Sequence, residues 1–123
     1  MVMSICVAMP KGQYRDQIIY QLEHRGDHVI TADRGIDLLN HIRYRYFNHI
    51  ILHTDLPDYD AIELVLYIRD VHPKTSITVV SENPGTLKHQ ILMAGANHWL
   101  NTHDHLNALL HILSSSDSQM MIQ

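Results

Sequence analysis

The stretch His49-Ile50-Ile51-Leu52-His53-Thr54-Asp55-Leu56-Pro57-Asp58-Tyr59-Asp60-Ala61-Ile62-Glu63-Leu64 decides the fold. His49 to Leu52 is an apolar run of strand length, and the turn containing Pro57 closes it. Beyond that turn Ile62, Val65, Leu66 and Ile68 recur at helical spacing. His72 precedes Pro73, a position biased away from helical angles, so the helix is predicted to stop there.

The same strand-helix alternation extends in both directions. Toward the N-terminus, Ser4 to Met9 reads as a buried strand ended by Pro10 and Gly12. Tyr14, Ile18, Ile19 and Leu22 mark a helix that runs to His24, with Gly26 as its stop. His28 to Thr31 is a second strand, and Leu38, Leu39 and Ile42 mark a second helix with Asp37 in its first turn. Toward the C-terminus, the β-branched run Ser76 to Val80 is strand four, and Asn83-Pro84-Gly85 is a turn. A fourth helix carries Leu87, Ile91 and Leu92 up to Gly95, and His98-Trp99-Leu100 is a short fifth strand. Leu106, Leu109, Leu110 and Leu113 form the last amphipathic helix. Continuous apolar strands alternating with helices predict an α/β fold, a parallel sheet covered on both faces. Such a sheet places its working site at the carboxyl ends of its strands. There is no internal repeat, so the chain reads as one domain over residues 4–113. Residues 114–123, beginning Ser114-Ser115-Ser116-Asp117-Ser118, read as a polar tail or the start of a linker.

Composition narrows the class. The chain has 123 residues, 46% of them hydrophobic and 18% charged, which suits a soluble globular domain. No apolar run approaches the ~20 residues that span a bilayer, and Met1-Val2-Met3-Ser4 has no features of a signal peptide. Cys6 stands alone in an apolar segment, as a buried thiol would in a reducing cytoplasm, so a cytoplasmic location is expected. A formal net charge of −4 argues against direct binding of nucleic acid. Tyr44, Arg45, Tyr46 and Phe47 interleave aromatic and basic character, but the patch is short and reads as a structural helix end.

The segment Asp55 to Leu64 resembles the loop and helix after the third strand of response-regulator receiver domains, the CheY-like family. Gly95-Ala96-Asn97-His98-Trp99-Leu100 resembles that family's lead into its fifth strand, and Ser81 sits where the family keeps Ser or Thr. The resemblance implies a doubly wound five-stranded sheet, the (βα)5 flavodoxin-like receiver fold with strand order 2-1-3-4-5, and a role in two-component signal transduction and phosphorelay. It fails at the reactive residues. Four residues before Pro57 stands His53, where the family has its phospho-accepting aspartate. Met9 and Pro10 replace the acidic pair, Thr102 replaces the lysine, His103 replaces the proline after it, and Ala61 replaces a helix-opening glycine. Ser81 alone survives of the reactive set, and Trp99 keeps the aromatic switch position.

Those departures have chemical consequences. Mg²⁺ is a hard ion that wants oxygen ligands, and Met9 and Pro10 offer no side-chain oxygen. Thr102 supplies no cation to a phosphoryl group. Removing the acids also removes carboxylate repulsion that would otherwise demand a metal or a raised pKa. The sequence therefore predicts no Mg²⁺ site, no cofactor and no enzyme. It predicts a pseudo-receiver working by phosphorylation-independent protein–protein interaction with signalling proteins or an effector domain. The surface expected to do so, from the resemblance, is the face of helix four, strand five and helix five: Lys88, His89, Trp99, Asn101, Asn107 and His111. That face would also serve a homodimer.

Two alternatives use the degenerate pocket of Met9, Pro10, His53, Asp55, Ser81 and Thr102 itself. Asp55, or His53 as a phosphohistidine, would be an unorthodox phospho-acceptor. Otherwise His53, His103 and His105 would read a metal or protons, although His103-Asp104-His105 matches no tight metal motif. Asp58 and Asp60 read as solvated turn and helix-start acids, and the other members of a set of eleven histidines as mostly ordinary surface residues.

Overall fold

Strand β3 (His49–His53) is buried at all five positions and occupies the middle of the sheet. The computed structural model describes residues 2–82, 87–102, 104 and 106–122, the last seven by backbone only. Its elements run β1 (Ser4–Ala8), α1 (Gln13–His24), β2 (His28–Ala32), α2 (Gly35–Tyr44), β3, α3 (Ala61–Val71), β4 (Ser76–Ser81), α4 (Lys88–Ala94), β5 (His98–Asn101) and α5 (Leu106–Ile122). All pairings are parallel, in the order β2-β1-β3-β4-β5 that the family resemblance implies.

Because successive strand residues point to opposite faces, each apolar strand feeds two cores at once. Cys6, Ala8, Ile50, Leu52, Ile77 and Val79 pack against Leu38 and Ile42 of α2, Leu64, Val65 and Ile68 of α3, and Ile91 of α4. Ile5, Val7, Ile51 and Val80 pack against Ile18 and Leu22 of α1 and Leu109 and Leu113 of α5. Cys6 is wholly buried, and burial pushes its thiol up to about 12, so it is unreactive. Phe47 belongs to the core rather than to a surface cluster, and Thr75 Oγ1 donates to its carbonyl at 2.9 Å. Among the described residues, no helix is long and apolar enough to cross a membrane.

One guanidinium ties two connections together at the amino end of the sheet. Arg69 of α3 donates to the carbonyls of Gly95 (2.7 Å), Pro73 (2.8 Å) and Thr75 (2.7 Å) and to Asn97 Oδ1 (3.0 Å). Asn97 Oδ1 also accepts from Ile77 N at 2.8 Å, which aligns β5 with β4. Gly95 ends α4 with φ +126, and a Cβ there would meet Arg69 at 3.1 Å. The positive φ therefore favours glycine, and a Cβ would also crowd the Arg69 side chain.

Two expectations differ from what is observed. α5 does not stop at Leu113 but continues to Ile122, through the segment expected to be a polar tail. Residues 114–122 contain neither glycine nor proline, and extending a formed helix is far easier than starting one. His49 is no surface residue: it is fully buried on the α1/α5 side, with Nε2 2.7 Å from Thr78 Oγ1. Burial, with smaller contributions from His98 and Arg25, brings its pKa down to about 3.

That displacement has a defined sign. The native state binds fewer protons than the unfolded chain between an ordinary histidine pKa and about 3, so stability is full at neutral pH and falls with acidification. By pH 4 the wild type should lose roughly 3 kcal/mol through His49, at ~1.4 kcal/mol per pH unit. His49→Gln keeps a partner for Thr78 but cannot titrate. Urea denaturation at pH 7 and pH 4 should give a clearly smaller acid loss for that variant than for the wild type, and equal losses would refute the assignment.

Candidate functional site

The carboxyl edge of the sheet is built from the residues just past the strand ends. β1 and β3 run in register to Ala8 and Leu52, so Met9 and His53 follow side by side. Pairing to β4 continues past the ends of β3 and β5 through Thr54 N to Val80 O at 3.0 Å and Thr102 N to Ser81 O at 2.9 Å. Met9, Pro10, His53, Asp55 and Thr102 thereby come together around a cleft of about 500 Å³. Five of the six residues expected in the pocket thus line it. The sixth, Ser81, is buried at the end of β4, where its Oγ accepts from Thr54 Oγ1 at 3.2 Å.

Six further residues line the cleft, three of them charged: Glu82, which follows Ser81 directly, and Lys11 and Arg15. Arg15 is paired with Asp33 and donates to Met9 O at 3.4 Å, and Lys11 lies 3.7 Å from the same carboxylate. The Arg15 hydrogen bond in the first place holds Asp33 below the usual carboxylate range. These cations therefore serve the β2–α2 connection. The signal for Glu82 was its place immediately beyond a strand end, where side chains converge on the edge.

His53 is 6% exposed. Its Nδ1 accepts the backbone N–H of Asp55 at 3.0 Å, so the neutral ring carries its proton on Nε2. Burial pushes its pKa down, against the opposing pull of Asp55 and Glu82. The Asp55 carboxylate itself is exposed.

The Mg²⁺ that the receiver resemblance implies finds a poor donor set at the corresponding positions. A buried thioether, a proline ring and an imidazole stand at Met9, Pro10 and His53, where a hard ion needs oxygens. The same cleft holds two carboxylates, those of Asp55 and Glu82. His53, Asp55 and Glu82 each bring one ligand atom to within 4.8 Å of the others. His103 and His105 lie outside the described residues, and Asp104 is engaged apart from this cluster, its Oδ2 accepting from Asn101 N at 3.0 Å.

The loop leaving the cleft is anchored to α2. Asp58 does not sit free in its turn: its carboxylate accepts from Gly35 N at 2.7 Å and Ile36 N at 3.0 Å, capping α2 from across the edge. Asp60 is the expected helix-start acid, accepting from Ile62 N at 2.8 Å. Tyr59 lies so close to α2 that a Cβ on Gly35 would fall 2.6 Å from its ring.

On the expected contact face, Lys88, His89, Asn107 and His111 are exposed. Asn101 and Trp99 are partly buried, and Trp99 packs against the core shared by α2, α3 and α4.

No protein-family model matches the sequence, and no curated protein does. Solved structures do match in shape. A CheY-like response regulator receiver domain protein from Methanospirillum hungatei superposes with a TM-score of 0.89 at 22% identity, each chain covering 100% of the other. The fold is the receiver fold. A two-component response regulator from Clostridium difficile gives a TM-score of 0.89 at 19% identity, over 95% of this chain and 97% of that one. The beryllofluoride-activated NtrC4 receiver domain, solved as a dimer, gives 0.87 at 18% identity, over 94% and 97%. At such identities the likeness concerns the receiver fold alone, and the chemistry must be read from the cleft.

The anchoring of the cleft loop has a measurable consequence. Alanine normally stabilises a helix over glycine by about 1 kcal/mol, yet Gly35→Ala should destabilise by about 1–3 kcal/mol, because the methyl overpacks against Tyr59. Urea unfolding of the variant decides between the two signs.

Proposed function

We propose that this chain is a pseudo-receiver: a non-enzymatic module of two-component-type signalling that acts in the cytoplasm by phosphorylation-independent protein–protein contact. One observation carries the reading. Met9, Pro10, His53 and Thr102 converge on the cleft where the receiver fold carries out its phosphorylation chemistry. None of them supplies a carboxylate to accept a phosphoryl group, a set of oxygens for Mg²⁺ or a cation to hold the product.

The contact surface we assign is the α4–β5–α5 face. Lys88, His89, Asn107 and His111 supply exposed polar contacts, and Trp99 supplies a large side chain steadied by the core. Its partners would be a signalling protein, an effector domain or a second copy of this chain. The NtrC4 receiver domain, which shares the fold, was solved as a dimer.

The decisive experiment is an amide NMR titration with Mg²⁺ and beryllofluoride, a mimic of an acyl phosphate. No shift above noise at His53, Asp55, Ser81 and Thr102 is expected. Saturable shifts spreading from those residues to Trp99 would mean that a phosphorylation switch survives, and the pseudo-receiver reading would fail.

A further inference from the structure

We propose that His53, Asp55 and Glu82 form a binding site for a borderline divalent ion of the Zn²⁺ class, supplied by the ends of β3 and β4. Their ligand atoms already lie within 4.8 Å of one another. Donors around a tetrahedral ion at ~2.1 Å are separated by ~3.4 Å, so closing the site requires movements of about 1 Å. Asp55 and Glu82 are exposed and free to make them, and His53 is held in place by burial.

A second observation points the same way. His53 is more than nine-tenths buried and lines the cleft, yet its only hydrogen bond among the described residues is at Nδ1. Its Nε2 edge is not sealed in the core but open to the cleft, where an ion can reach it. An imidazole with two carboxylates selects a borderline ion over Mg²⁺, which favours oxygen alone. Three protein ligands also leave a coordination position open to water in the cleft. This donor set is distinct from the acid pair at the end of the first strand that the resembled family uses, since Met9 and Pro10 take no part in it.

The hydrogen bond to Asp55 makes metal loading a local switch. A metal on Nδ1 would take the lone pair that now accepts the Asp55 N–H. A metal on Nε2 would displace the ring proton to Nδ1, which could then no longer accept. Either way the Asp55 N–H to His53 Nδ1 bond is lost. Asp55 opens the loop that Asp58 fastens to α2, so the ion acts at the root of that loop. This inference stands on the cleft geometry and is independent of the binding-module reading.

Titration of the full chain with Zn²⁺, by calorimetry and by amide NMR, tests it. We expect one saturable site that millimolar Mg²⁺ does not displace, with the Asp55 amide among the most shifted. Glu82→Gln, an exposed change that leaves folding intact, should weaken binding about tenfold or more, and His53→Ala should abolish it. A His103→Ala, His105→Ala double variant should keep the site. The proposal is overturned by the absence of saturable binding, by full affinity in Glu82→Gln, or by loss of binding in the double variant. If His53→Ala does not fold, the Glu82→Gln result decides alone.

Discussion

Burial of β3 on both faces is the constraint on which the rest of the structure depends. A central parallel strand has no solvent side, so every side chain it carries must be apolar or satisfied without charge. Ile50, Ile51 and Leu52 meet that condition by composition. His49 and His53, at the two ends, meet it only in part: each is a neutral ring with one hydrogen bond among the described residues, and His49 Nδ1 is buried without a partner. The same strand thus fixes a buried imidazole at the amino end and another at the edge of the cleft.

Around that strand, polar side chains hold the connections rather than the core. Arg69 gathers the carbonyls and the amide oxygen that surround the β4 and β5 entries. Asp58 carries the loop after β3 to the start of α2, and His72 Nε2 reaches the carbonyl of Ile42 at 2.8 Å near the end of that helix. Hydrogen bonds to ionised groups are the stronger kind, so the Arg69 and Asp58 contacts fix the loops on a frame whose bulk stability comes from apolar burial. The cleft is consequently framed by anchored backbone while Asp55 and Glu82 remain exposed at its mouth.

The chemistry of the edge follows from what this frame displays. Carboxylates crowded at one edge repel one another and call for a hard cation. Here the cations Lys11 and Arg15 are engaged by Asp33, and the carboxylates of Asp55 and Glu82 stand just beyond the ends of β3 and β4. The receiver fold supplies the edge and the residues at the strand ends supply its donors, which is the general separation between a scaffold and the site it carries.

The sequence by itself determined the alternation of strands and helices, the parallel sheet and its covered faces. Apolar periodicity and the Pro and Gly stops are local signals, and Gly95 and Pro73 end their helices where expected. It also determined which residue types reach the edge, since Met9, His53, Asp55 and Thr102 are all counted from strand ends. Only the tertiary structure decided which of them meet. Glu82 joined His53 because β4 lies beside β3, and Asp58 turned from a turn acid into a cap because α2 lies across the loop. His49 escaped the sequence for the same reason: a histidine at a strand end is buried or exposed according to its neighbours across the sheet, and those neighbours lie about 30 and 50 residues away, at Thr78 and His98. The continuation of α5 past Leu113 was likewise missed, because serines disfavour a helix only weakly and cooperativity carries it through.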